Sequence, residues 1–135
     1  MIRFVTLFLV VALTVVGVGG VATAGDVVVD AVYAVEYGFH SFFIALVYAH
    51  GEAPLVDAQL LVNGTPIVED RVQKYVLDPS SNATLFVIKK YGMTVVQPGD
   101  ILTALVTDEV AGSGELAVSC GSLAPTPYLV VLCRP

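Results

Sequence analysis

Tryptophan is absent from this chain of 135 residues, and histidine, methionine and cysteine occur twice each. Charge is scarce too: 13% of residues carry it, with 6 Lys and Arg against 12 Asp and Glu, a formal net charge of −6. Each shortage removes a class of function. Nucleic-acid binding needs clustered Lys and Arg to neutralise phosphates. The one basic pair, Lys89-Lys90, closes an apolar run and is expected to be a solvated strand end, so no nucleic-acid partner is expected. The two histidines, His40 and His50, flank one candidate strand. At about 3.3 Å per residue they stand roughly 30 Å apart and cannot share a metal or a catalytic dyad. Ser119-Cys120-Gly121-Ser122 lacks the glycine that precedes the serine in a nucleophile elbow. Asp100, Asp108, Glu109 and Glu115 offer oxygen ligands of the kind calcium takes. They form no EF-hand loop, and solvated loop carboxylates are the default. No catalytic residue, cofactor or metal site is expected, and the chain is not expected to be an enzyme.

What the chain has in plenty is apolar: 56% of its residues are hydrophobic. Its length suits one domain, and its composition lies far from that of disordered chains. The first 25 residues stand apart from the rest. After Arg3, no charge occurs from Phe4 to Gly25. Small residues follow the apolar block, and Ala22-Thr23-Ala24 fits a signal-peptidase site, with cleavage between Ala24 and Gly25. Three interpretations of residues 4–24 compete: a cleaved secretory signal, an uncleaved membrane anchor, or a pilin-type helix in a filament core. In all three, the lone positive charge holds the start inside and the remaining domain lies outside the cell.

Export bears on Cys120 and Cys133. Two cysteines are too few for a disulfide-framework miniprotein, and without a nearby histidine they do not complete a tetrahedral zinc site. In an oxidising compartment a bridge is expected, with free buried thiols as the alternative. Closing a loop of that size contributes about 3 kcal/mol in the chain-entropy model.

From Val27 onward the periodicity is that of strands. Val27, Val29, Ala31, Tyr33, Val35 and Tyr37 fall on one face of the first run, with Asp30 and Glu36 on the other. Residues 41–48 are apolar on both faces, which suggests a central strand buried on both sides. Further runs span 56–62, 72–77, 84–90, 101–107, 115–120 and 128–133. Turn residues separate them: Asn63-Gly64, Asp78-Pro79, Pro98-Gly99, Gly112-Ser113-Gly114 and Pro125-Thr126-Pro127. No later window holds a helical period for three turns. The expected fold is therefore all-β: an Ig-like antiparallel β-sandwich of some eight strands (25–135), preceded by an N-terminal apolar helix (1–24).

Asn63-Gly64-Thr65 and Asn82-Ala83-Thr84 match the N-glycosylation pattern, and both fall at predicted turns. Asn-Gly is also a hairpin signal in its own right. With an export signal in the same chain, Asn63 and Asn82 are candidate glycan acceptors.

The stretch from Ala49 and His50 through Leu60, Leu61, Val62, Asn63 and Gly64, with the later Pro98-Gly99-Asp100 turn and the run Ile101 to Val106, resembles the head domain of archaeal type IV pilins. The resemblance covers roughly residues 49–107. It implies an apolar N-terminal helix in a filament core and a glycosylated β-sandwich displayed outward. Such pilins are cut at a small residue just before the helix, whereas here Arg3 runs straight into Phe4. That departure leaves room for a second filament type, cut at Ala24, whose mature N-terminal strand (27–37) inserts into a neighbour's sheet.

The expected function is therefore a structural subunit of an extracellular pilus-like or thread-like filament, for adhesion or surface contact. The alternative is a secreted or membrane-anchored monomeric binding module for a sugar, cation or protein. So short a chain cannot bury all its apolar residues in one core. The surplus is expected to face copies of itself, a membrane or an N-linked glycan.

Intact mass of protein from its own host tests the leader and the bridge together. The expected product begins at Gly25, gains two protons on reduction and loses sugar on deglycosylation. A product retaining the run from Phe4 would make that segment structural.

Overall fold

The computed structural model describes residues 26–38, 42–123 and 130–135. The expected leader helix, the cleavage site at Ala24 and Gly25, and His40 lie outside the described residues. The described chain is all-β: β1 (Val27–Tyr37), β2 (Phe42–Gly51), β3 (Leu55–Val62), β4 (Thr65–Pro66), β5 (Arg71–Asp78), β6 (Ala83–Tyr91), β7 (Ile101–Asp108), β8 (Ser113–Ser122) and β9 (Val130–Arg134). β4 is the strand that periodicity does not suggest, because two residues carry no period. It exists because Asn63 and Gly64 both adopt positive φ (50° and 86°). Those values make a two-residue hairpin that folds Thr65 back onto Val62. Pro98-Gly99 turns the chain into β7, closed by the Asp100 N–H donating to the Gln97 carbonyl at 3.1 Å.

All nine strands belong to one antiparallel sheet, in the order β4-β3-β7-β8-β9-β1-β2-β6-β5. The sheet curls. β1 lies close to β8 and β7, which are two and three places away in the hydrogen-bonded order. At the far ends, Lys74 on β5 donates to the Leu55 carbonyl on β3 at 3.1 Å. The concave side holds the core, with Phe43, Phe86, Leu60, Ile88, Leu102 and Val131 essentially inaccessible. Close approach of β1 to β8 depends on Gly114, where an added Cβ would lie 2.1 Å from the Val27 carbonyl oxygen.

β1 departs from strict alternation. A bulge at Asp30 shifts the register between Val29 and Ala31. Val27 and Val29 point inward, and after the bulge Val32, Ala34 and Glu36 do so. The expected face is thus right before Asp30 and inverted after it: Tyr33 and Tyr37 are exposed, and the carboxylate of Glu36 is fully buried. Its Oε1 accepts the N–H groups of Val95 at 2.5 Å and Val96 at 3.0 Å, fastening the β6–β7 connection over the core. Oε2 has no partner among the described residues.

Cys120 and Cys133 form the expected disulfide, joining cross-strand neighbours on β8 and β9. Among the described residues, the bridge secures five residues of β9, which make short ladders with β8 and β1. At the β5–β6 end, the Asp70 carboxylate accepts the Tyr91 N–H at 2.6 Å and approaches the Lys90 ammonium at 3.5 Å. The Tyr91 hydrogen bond first, and Lys90 second, hold Asp70 below the usual carboxylate range. Asp78 is lowered likewise by the hydroxyl and N–H of Ser80.

Two predictions follow from these contacts. Gly114→Ala pushes a methyl group into the β1 backbone and is expected to cost about 1–3 kcal/mol in urea unfolding, with the slope unchanged. Asp70 has a depressed folded pKa, so its contribution is present above the unfolded pKa and is lost as pH falls through the folded value. Asp70→Asn is therefore expected to lower the melting temperature at neutral pH, and the gap to the wild type should close in acid.

Candidate interaction face

The residues singled out for chemistry are dispersed. No three His, Cys, Asp or Glu side chains converge among the described residues. Asp100 accepts the Gln97 N–H at 2.8 Å and the Asn63 amide at 3.0 Å. Asp108, nearly buried, accepts the Val110 and Gly112 N–H groups at 2.9 and 2.6 Å. Both carboxylates thus organise their own turns, and neither reaches Glu109 or Glu115 through these bonds. His50 pairs through Nδ1 with Asp30 at 2.8 Å, at the solvent-exposed end of β2. Ser119 and Cys120 border an open cleft of about 400 Å³ whose lining, among the described residues, has no histidine and no acidic side chain to act as a base. Lys89 and Lys90 are half-buried rather than free, and Lys90 is engaged by Asp70.

The two sequons differ in setting. Asn63 is exposed, with Oδ1 accepting the Ile101 N–H at 2.9 Å and Nδ2 donating to Asp100. Asn82 is half-buried and donates to the Gly51 carbonyl at 3.0 Å. Its partner Thr84 is buried, with its hydroxyl donating to the Asn82 carbonyl at 2.8 Å.

What the strands do assemble is a face. Directly paired residues of an antiparallel ladder share a side of the sheet, so the registers can be followed across it. Val130, Tyr37, Phe42 and Tyr91 form one row; Leu132, Val35, Ile44, Lys89 and Arg71 form the next. Tyr33, Leu46, Val87 and Gln73 make a third; Ala31, Tyr48, Leu85 and Tyr75 make a fourth. This is the convex side of β9-β1-β2-β6-β5, opposite the core. All five tyrosines among the described residues stand on it, and Tyr33 and Tyr91 are 45% and 51% exposed. The rows carry two cations and no carboxylate, in a protein of net charge −6. Tyr37 stacks on Phe42 with centroids 6.4 Å apart, and Phe42 on Tyr91 at 5.2 Å.

The other half of the convex surface differs. Across β8, β7 and β3 the outward rows include Ser119, Ser113, Glu115, Thr103, Thr107, Asp57 and Gln59, with a few aliphatic residues between them. An alternating strand with one wet face looks like this; the tyrosine face does not. Of the run 41–48, expected to be buried on both sides, Phe42 to Tyr48 alternate between buried on the core side and half-buried on the other, where no second layer covers them among the described residues. The sheet edges carry safeguards: β4 is two residues long and ends in Pro66, while β5 bears the inward-facing Lys74 and a bulge before Asp78.

Periodicity alone misses this face. Its signal was available in β2 and β6, where Ile44, Leu46, Leu85 and Val87 occupy positions that an alternating strand would give to polar residues. The contribution of β1 was hidden by the bulge. In comparisons with known proteins, the chain matches no family model, no curated protein and no solved structure.

Proposed function

We propose that the chain is a structural subunit of an extracellular pilus-like or thread-like filament serving adhesion or surface contact. The observation that carries this reading is the tyrosine face: four rows of mainly apolar and aromatic side chains on the side of the sheet away from the core. A protein that works alone in water gains nothing from such a surface, and contiguous exposed apolar patches mark association sites. The apolar run from Phe4 and the Ala22-Thr23-Ala24 motif support export. In this reading the curled sheet is an Ig-like sandwich, with β1, β2, β6 and β5 in one layer and β3, β7 and β8 in the other. The pilin-head resemblance over residues 49–107 belongs to the same reading. Residues 4–24 connect the domain to a membrane or a filament core, or are removed at Ala24; Asn63 and Asn82 take the glycan.

The rival reading is a monomeric binding module, whose ligand would stack on the exposed rings of Tyr37 and Tyr91.

Sedimentation and negative-stain microscopy of the exported protein test the proposal. Assemblies that grow with concentration, and filaments on the producing cells, are expected. Monomers alone at high concentration, with no filaments on cells, would sink it.

A further inference from the structure

We infer that the tyrosine face is a self-complementary contact, packing sheet on sheet against the same face of a second copy of this chain. The inference rests on the proposed self-assembling subunit and names its partner and surface.

Size is the first argument. Four tyrosines about half exposed present roughly 100 Å² each, and the half-buried apolar side chains between them bring the face to roughly 700 Å². A stable interface takes about 800 Å² from each partner. A second layer at about 10 Å is also the ordinary way to cover a convex apolar sheet.

Charge complementarity is the second. Lys89 and Arg71 lie in one row, on the β6 and β5 side of the face. The same row ends on the other side in Val35 and Leu132. A two-fold axis along β2 lays the β6 side of one copy over the β1 side of the other. The cations then avoid each other, and Lys89 comes to the partner's Val35, between its Tyr33 and Tyr37. An ammonium flanked by two tyrosine rings is a favourable cation–π arrangement. With no carboxylate in the rows, no like-charged acidic pair opposes the contact.

A contact of this kind closes on itself. It yields a dimer, and growth into a filament then needs a second, head-to-tail contact elsewhere on the subunit.

The test uses the exported protein as purified from its host, with Leu46→Lys and Tyr33→Lys on the face and Thr103→Lys on the opposite convex surface. Circular dichroism and melting establish folding; Tyr33, already exposed, supplies a variant with little risk to the core. The wild type and Thr103→Lys are expected to sediment as concentration-dependent dimers. Each face variant should weaken dimerisation at least about tenfold, and Lys89→Glu should weaken it too. Folded face variants that associate as the wild type does would overturn the inference and leave the filament reading standing. Dimers lost in the variants, with no filaments on cells, would uphold the interface and defeat the filament. A wild-type monomer that binds phosphatidylcholine vesicles through Tyr33 and Leu46 would overturn the inference in favour of a lipid surface.

Discussion

The bulge at Asp30 governs which side chains of β1 reach the core, and β1 is the strand on which both halves of the curled sheet converge. A bulge adds one residue to one strand and reverses the alternation beyond it. Before Asp30, valines fill the interior against Gly114 and β8. After it, Val32, Ala34 and Glu36 take the inward positions, and Tyr33, Val35 and Tyr37 are sent out to join the outward residues of β2. Without the extra residue, the tyrosines would be driven into a space that holds alanine and valine, and Glu36 would face water. The stacked row across Tyr37, Phe42 and Tyr91 therefore depends on a backbone irregularity seven residues away.

The inverted register has an energetic counterpart. A buried carboxylate is costly unless its oxygens are hydrogen-bonded. Glu36 gives one oxygen to two backbone N–H groups, which in turn secures Val95 and the fully buried Val96. The connection between β6 and β7 is thus fixed by a polar group reaching out of the sheet, and not by packing alone. Asp108 does the equivalent at the opposite hairpin, where its oxygen organises the turn between β7 and β8.

Most strands were legible in the sequence because their alternation or their β-branched runs are local properties. The turns at Asn63-Gly64 and Pro98-Gly99 were legible for the same reason, and the expectation of export carried with it that of the Cys120–Cys133 bridge. The burial of Glu36 and the outward turn of Tyr33 were not legible: a bulge leaves no mark on composition, and its cost is met by partners far along the chain. The tyrosine face was half legible. The surplus of apolar residues announced that some surface would stay uncovered. Which surface it was required the registers of β1, β2, β6 and β5 together, and register is a long-range property.

The disulfide also sets how the domain carries load. β9 is antiparallel to both of its neighbours, and its last residues lie beside Ala34, well inside β1. Tension entering through Arg134 and Pro135 meets Cys133 almost at once and passes through a covalent bond to Cys120 on β8. The short hydrogen-bonded ladders of β9 are thereby relieved of most of the force, which is delivered to a ten-residue strand held along its length by β7. Through one bond, β9 becomes a firm point of attachment.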